Sequence, residues 1–84
     1  MEEVKTTLGE PVKVIASFSP HKFKIHFFNW KERTYPVESM NLFHIERDGS
    51  KKLYHFAVSS RGNSYELVFD PVTLDWVLAD MVQV

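Results

Sequence analysis

The sequence predicts an all-β protein, a small SH3-like antiparallel barrel or half-barrel of five or six strands. From Val12 to Val82, short runs of β-branched and aromatic residues alternate with turn signals, and no run is long enough for a clear helix. Aromatic residues make up 14% of the 84 residues, enough to fill a core this small. Asp48-Gly49 is a strong hairpin signal, because both residues tolerate positive φ.

The chain length predicts a single domain, which we place at residues 11–84. Residues 1–10 are polar and threonine-rich, and we expect them to form a flexible N-terminal arm. The first strand is predicted at Val12–Phe18. Pro11 suits its entrance, since a proline cannot donate a ladder hydrogen bond.

The second strand, predicted at Phe23–Trp30 after a proline-containing turn, loses its alternation part-way. Phe23, Ile25 and Phe27 share one face, and Phe28 and Trp30 then break the parity. A β-bulge near Phe27-Phe28 would return both aromatic sets to the core. It would also bend the strand, as closure of a small barrel requires.

The middle of the chain admits two interpretations. Arg33–Val37 reads as a short strand, in which Pro36 indicates a sheet edge or a bulge. Glu38–Arg47 is either a strand continuous with it through a bend at Ser39, or begins with a helical turn near Glu38–Asn41. Apolar residues occur on both faces of this stretch, so the sequence leaves open which side faces inward.

The last three strands alternate more regularly. Turns are predicted at Arg61–Asn63 and at Asp70–Thr73, where Asp stands first and Pro second. One strand is predicted between these turns, and the last strand follows the second turn and ends near Val82. The side chains expected to face the core are Tyr54, Phe56, Val58, Tyr65, Leu67, Phe69, Trp76 and Leu78.

The composition argues against several classes of protein. There is no cysteine, which excludes disulfides and cysteine-ligated zinc. The N-terminus is acidic and polar, unlike a signal peptide. No segment approaches the roughly 20 apolar residues of a membrane helix. We therefore expect a cytoplasmic protein without membrane contact.

The net charge of −1 conceals an asymmetry along the chain. Residues 11–61 carry a charge of +5, whereas residues 62–84 carry −4 and the first ten residues −2. Two outcomes are open. The basic and acidic parts either neutralise each other on neighbouring strands or give a dipolar surface.

No pattern in the chain indicates catalysis. His26, His44 and His55 lie on three predicted strands without zinc-ligand spacing. The serines flank a turn rather than a nucleophile elbow, and the three glycines are too far apart for a phosphate loop. We therefore expect a protein that is not an enzyme and has neither metal nor cofactor.

Basic and aromatic residues interleave along the second and third strands, a combination typical of small β-barrels that bind single-stranded nucleic acid. Against this interpretation, the isoelectric point is about 6.4, below the value above 9 typical of dedicated nucleic-acid binders. The candidate binding residues are Lys22, Lys24, His26, Phe28, Trp30, Lys31, Arg33 and Tyr35.

The leading functional hypothesis is a non-catalytic binding module for a protein partner or for a second copy of itself. An exposed sheet edge near Pro36, or a face that carries Phe28, Phe43 or Val68, would suit such a partner. Single-stranded nucleic-acid binding through the second and third strands is the alternative.

The sequence also resembles a family of small bacterial domains of unknown function. The resemblance covers about residues 10–80 and rests on a Glu-Pro-Val start, a Trp-x-x-Arg-x-Tyr-x-Val hairpin, a Tyr-Glu-Leu-x-x-Asp strand and a closing Trp-x-Leu. Some members resemble proteins encoded near mutagenic-repair polymerase components. The more basic, tryptophan-rich middle of those members is replaced here by Ser39–Lys52. The resemblance implies a fold and transfers no catalytic residue. Within the matched hairpin, Trp30 and Tyr35 are expected to be neighbours, with Arg33 able to stack on Trp30.

Overall fold

The computed structural model describes residues 4–83, and these form strands and turns without a helix. Since β-branched and aromatic residues dominate each run between turns, extended structure follows locally. The strands are β1 (Val4–Ser19), β2 (Lys22–Trp30), β3 (Arg33–Pro36), β4 (Ser39–Asp48), β5 (Lys51–Ser60), β6 (Asn63–Asp70) and β7 (Asp75–Gln83).

The seven strands form one sheet in the order β3-β2-β1-β7-β6-β5-β4, and each pair of neighbours is antiparallel. The all-β antiparallel prediction is therefore confirmed. The sheet has seven strands rather than five or six, and it is not closed into a barrel. The extra strand arises because β3 pairs with β2 whereas β4 pairs with β5, although only two residues separate β3 from β4.

The long strand β1 belongs to both halves of the sheet. Its first part pairs with β7, from Val4 opposite Gln83 to Val12 opposite Trp76. Its second part pairs with β2, from Lys13 onward. The arm predicted for residues 1–10 is therefore part of the sheet from Val4, because β7 offers it a ladder that the sequence does not reveal. The first three residues lie outside the described range.

A bulge in β2 sits one residue before the predicted position. Ile15 of β1 pairs with Phe27 and Ala16 pairs with Ile25, so His26 is the extra residue. The parity shift brings both Ile25 and Phe28 into the core. The prediction that Phe27 shares the inner face with Ile25 is wrong, because the extra residue turns Phe27 to the outer face opposite Ile15. The carbonyl of His26 accepts a hydrogen bond of 2.9 Å from the amide of Val37, which ties the end of β3 to the bulge.

The core lies on the inner face of the curved sheet, between β2 and the strands β5 to β7. It confirms most of the side chains expected to face inward, and Tyr54, Phe69 and Trp76 pack at its margin. The buried apolar residues are Ile25, Phe28, Trp30, Phe56, Val58, Tyr65, Leu67 and Leu78.

Strand β4 is the exception, because every one of its residues is exposed. The orientation that the sequence left open is now defined. The ring of Phe43 lies 5.0 Å from that of Phe56 on the inner face. His44 stacks on His55, with ring centroids 4.5 Å apart, on the outer face.

Two tight turns use left-handed backbone. Lys31 and Glu32, between β2 and β3, have φ of 52° and 63°. Arg61 and Gly62, between β5 and β6, have φ of 51° and 80°. Positive φ at both central residues is the mark of the two-residue hairpin turn that matches strand twist.

Candidate binding surfaces

The structure separates the eight candidate residues into three groups. Phe28 is fully buried, so its proposed role in binding is wrong: the bulge turns it into the core. Trp30, Lys31, Arg33 and Tyr35 line a pocket at one end of the sheet. Lys22, Lys24 and His26 are exposed on β2, away from that pocket.

The first surface, which we call the end pocket, is a depression of about 510 Å³ beside the β2–β3 turn. The sequence predicted its residues from the β2–β3 hairpin but not those from the β5–β6 turn, β6 and β7, because these come from distant parts of the chain. The additional lining residues are Arg61, Asn63, Tyr65, Met81 and Gln83.

The aromatic rings of the end pocket are already covered. The ammonium of Lys31 lies 4.8 Å from the ring centre of Trp30, so Lys31 rather than Arg33 is the cation on that ring. The guanidinium of Arg61 lies 5.3 Å from the ring centre of Tyr35, and Phe28 stacks on Tyr35 at 5.1 Å. Trp30 and Tyr35 are neighbours at 5.8 Å, as predicted for the hairpin. Their arrangement fits a structural lock better than a stacking platform.

The second surface, which we call the basic face, is the outer side of β2 and the second part of β1. Val14 and Ala16 pack against the core, so the residues that alternate with them point outward. His26 shares a hydrogen bond of 2.8 Å with the hydroxyl of Ser17. The outward residues that define the basic face are Lys13, Ser17, Lys22, Lys24, His26 and Phe27.

The third surface, which we call the apolar groove, runs between the β1–β2 turn and β4. It has a volume of about 330 Å³, and Phe18 at its rim is 74% exposed. The rings of Phe18 and Phe23 are 4.7 Å apart, and Phe23 reaches Phe56 at 5.3 Å. The residues that line it are Phe18, Phe23, Met40, Phe43, Tyr54, Phe56 and Phe69.

One wall of the apolar groove is the sheet edge formed by β4. This strand pairs with β5 on one side and with no described strand on the other. Leu42 on its outer face is 62% exposed, and Ile45 on its inner face is 43% exposed. From this strand, the sequence analysis named only Phe43, as part of a face that would suit a partner, and none of the eight candidate binding residues. Apolar residues on both faces of Glu38–Arg47 were the available signal.

Ion pairs between the basic and acidic parts of the chain are sparse. Lys51 pairs with Asp70 at 3.8 Å across β5 and β6, as the neutralising interpretation predicts. Lys5, which belongs to the first ten residues, pairs with Asp80 at 3.7 Å across β1 and β7. The lysines of the basic face have no carboxylate within 4 Å among residues 4–83. Much of the basic charge therefore remains uncompensated by direct pairing.

The β6–β7 turn stabilises the ionised carboxylate of Asp70. The amide of Val72 donates a hydrogen bond of 2.9 Å to its carboxylate, and the amide of Thr73 donates another of 3.3 Å. These donors, with the smaller effect of Lys51, lower the pKa of Asp70 below its usual value. The ionised form of Asp70 thereby stabilises the β6–β7 turn.

Histidine and carboxylate groups do not form a metal site in the described part of the chain, where no cluster of three suitable ligands occurs. His55 instead lies between two glutamates, 2.8 Å from Glu46 and 3.3 Å from Glu66. Of the three strand histidines, only His44 and His55 are brought together. Within residues 4–83, no helix is long and apolar enough to cross a membrane.

Comparisons with known proteins add no relative. No protein-family model matches the chain, and searches of curated proteins and of solved structures found no significant match. The SH3-like classification and the resemblance to the bacterial family therefore stay predictions. The functional argument rests on the three surfaces themselves.

Proposed function

We propose that this protein is a non-catalytic binding module that associates with a second copy of itself by strand addition at β4. The observation that carries the proposal is that β4 is an edge strand whose ten residues are all exposed. At about 3.3 Å per residue, this edge offers roughly 33 Å of backbone for pairing. The pairing of β4 with β5 shifts register between Met40 and Leu42, and the regular stretch from Leu42 onward is a template for another strand.

The side chains of β4 strengthen this interpretation. Natural edge strands are commonly protected by inward-pointing charges or prolines. Here Phe43 and Ile45 occupy inner-face positions, and Phe43 lines the apolar groove. Leu42 adds an exposed apolar side chain on the outer face. Pairing at this edge would cover backbone groups and apolar surface at the same time.

The distribution of charge along β4 favours a second copy in the antiparallel direction. Its charged residues, Glu46, Arg47 and Asp48, all lie at one end, and the other end is uncharged. An antiparallel pair related by a two-fold axis places each charged end opposite an uncharged end. The apolar centre of one strand then meets that of its partner without like charges face to face.

The test measures mass against concentration by size-exclusion chromatography with light scattering. We expect the wild-type chain to shift from monomer to dimer as concentration rises. Ile45→Lys places a charge on the inner face of the edge strand and should remain monomeric. Val72→Lys makes the same type of change at an 84% exposed turn residue and should dimerise like wild type.

Two outcomes would contradict the proposal. One is a wild-type chain that stays monomeric at millimolar concentration. The other is a folded Ile45→Lys variant that dimerises as strongly as Val72→Lys. Circular dichroism of both variants establishes that a change in mass reflects association rather than unfolding.

A further inference from the structure

We propose that the basic face binds single-stranded nucleic acid, with backbone phosphates on its lysines and a base stacked on Phe27. This site lies on the outer side of β1 and β2, opposite the core. It is distinct from the β4 edge, so it goes beyond the self-association proposed above.

The charge of the basic face is of one sign. Lys22 and Lys24 point outward from β2, and Lys13 lies further along the same face on β1, where its cross-strand partner is Asn29. None of the outward residues that define this face is acidic, and none of the three lysines forms an ion pair within the described chain. The near-neutral overall charge therefore conceals a local cationic surface.

The spacing of these cations suits a polymer. Lys22 and Asn29 are seven positions apart on β2, so the line from Lys22 to Lys13 extends over roughly 20 Å. A single small anion would reach one or two of the lysines. An extended polyanion that follows β2 could contact all of them, and each neutralised phosphate would release counterions.

Phe27 supplies a platform for a base on the same face. It pairs with Ile15 on one side and Pro36 on the other, and its ring has no aromatic neighbour among the described residues. The rings of Trp30 and Tyr35 in the end pocket are covered by cations, whereas Phe27 is not. A ring between lysines is the arrangement that recognises a base together with its phosphates, and it favours nucleic acid over an acidic peptide.

The experiment measures fluorescence anisotropy of labelled mixed-sequence DNA and RNA single strands at several salt concentrations. We expect binding that weakens as salt rises. Lys24→Glu should lower affinity and reduce the slope of log affinity against log salt by about 0.7 for each phosphate that is no longer neutralised. Lys52→Glu makes the same charge change at an exposed position of β5, away from the basic face. It is the matched control and should bind more tightly than Lys24→Glu.

A second variant separates stacking from charge. Phe27→Leu should lower affinity by about fivefold or more, because one base no longer stacks on an aromatic ring, while the salt slope stays unchanged. Thermal melting establishes that this variant is folded. Ile45→Lys, which removes the proposed dimer edge, should bind single strands like wild type.

Several results would overturn the inference. These are no binding at low salt, equal decreases in affinity for Lys24→Glu and Lys52→Glu, or an unchanged affinity in folded Phe27→Leu. Displacement of the labelled strand by polyglutamate as effectively as by an unlabelled strand of equal charge would instead identify a general polyanion surface. If the wild-type protein does not bind single strands but still forms a dimer, the nucleic-acid inference fails and the self-association proposal stands.

Discussion

The turn between β2 and β3 should become more stable when its second residue is replaced by glycine. Glu32 has φ of 63° and carries a Cβ, whereas Gly62 occupies the equivalent position of the β5–β6 turn at φ of 80°. A left-handed backbone costs a residue with a side chain about 1–2 kcal/mol. The greater freedom of glycine in the unfolded chain offsets about 0.5–1 kcal/mol of this.

Glu32→Gly is therefore expected to raise the free energy of unfolding by about 0.5–1 kcal/mol. Glu32→Ala removes the same carboxylate but keeps the Cβ, so it is the matched control and should change stability little. Gly62→Ala should lower stability by a similar amount. A Cβ at Gly62 meets no atom within 4 Å, so that decrease would come from backbone conformation alone.

Urea denaturation, followed by tryptophan fluorescence, measures the free energy of unfolding of all three variants. If their m-values are equal, the midpoints can be compared directly. A change of 1 kcal/mol in a domain of this size also shifts Tm by about 4–8 °C. The reasoning is refuted if Glu32→Gly and Glu32→Ala have the same stability, or if Gly62→Ala is as stable as wild type.

Three further predictions concern the core, one turn and one buried hydroxyl. Leu67→Ala should cost about 2–5 kcal/mol in urea denaturation because Leu67 is fully buried, whereas Val72→Ala should stay within about 0.5 kcal/mol of wild type. The lowered pKa of Asp70 stabilises the fold above about pH 4, and this contribution should disappear as pH falls through the lowered pKa. The urea midpoint of Asp70→Asn, measured from about pH 6 to 2, should therefore depend less on pH than that of wild type. Ser60→Ala should raise the thermal midpoint or leave it unchanged, since the Ser60 hydroxyl is buried without a hydrogen-bond partner in the described structure; a clear fall would contradict this.

The features that the sequence predicted are those in which burial and alternation act within one strand. Phe56 and Leu67 follow period-two patterns and lie in the core. The parity break predicted at Phe28 and Trp30 signalled a bulge, which the structure places at His26. These inferences need no knowledge of which strand is the neighbour.

The features that the sequence did not predict depend on pairing between distant segments. Nothing local shows that Val4 finds a partner near Gln83, so the start of β1 read as an arm. Likewise, apolar residues occur on both faces of β4, and only the strand order shows that no described strand pairs with its other side. Phe28 was predicted both to return to the core through the bulge and to bind a partner, and only its core position is correct.

The order of the strands makes the chain suitable for circular permutation. From the β4 edge, the order of the sheet is β4-β5-β6-β7-β1-β2-β3. This is the chain order rotated so that it begins at β4 instead of β1. Val4 and Gln83 are already cross-strand neighbours, so a short linker could join them. A circular permutant opened between Val37 and Glu38 would then be a plain meander, in which every strand pairs with the next one made. Its mean sequence separation between contacts falls, and on that ground it should fold faster than the natural order.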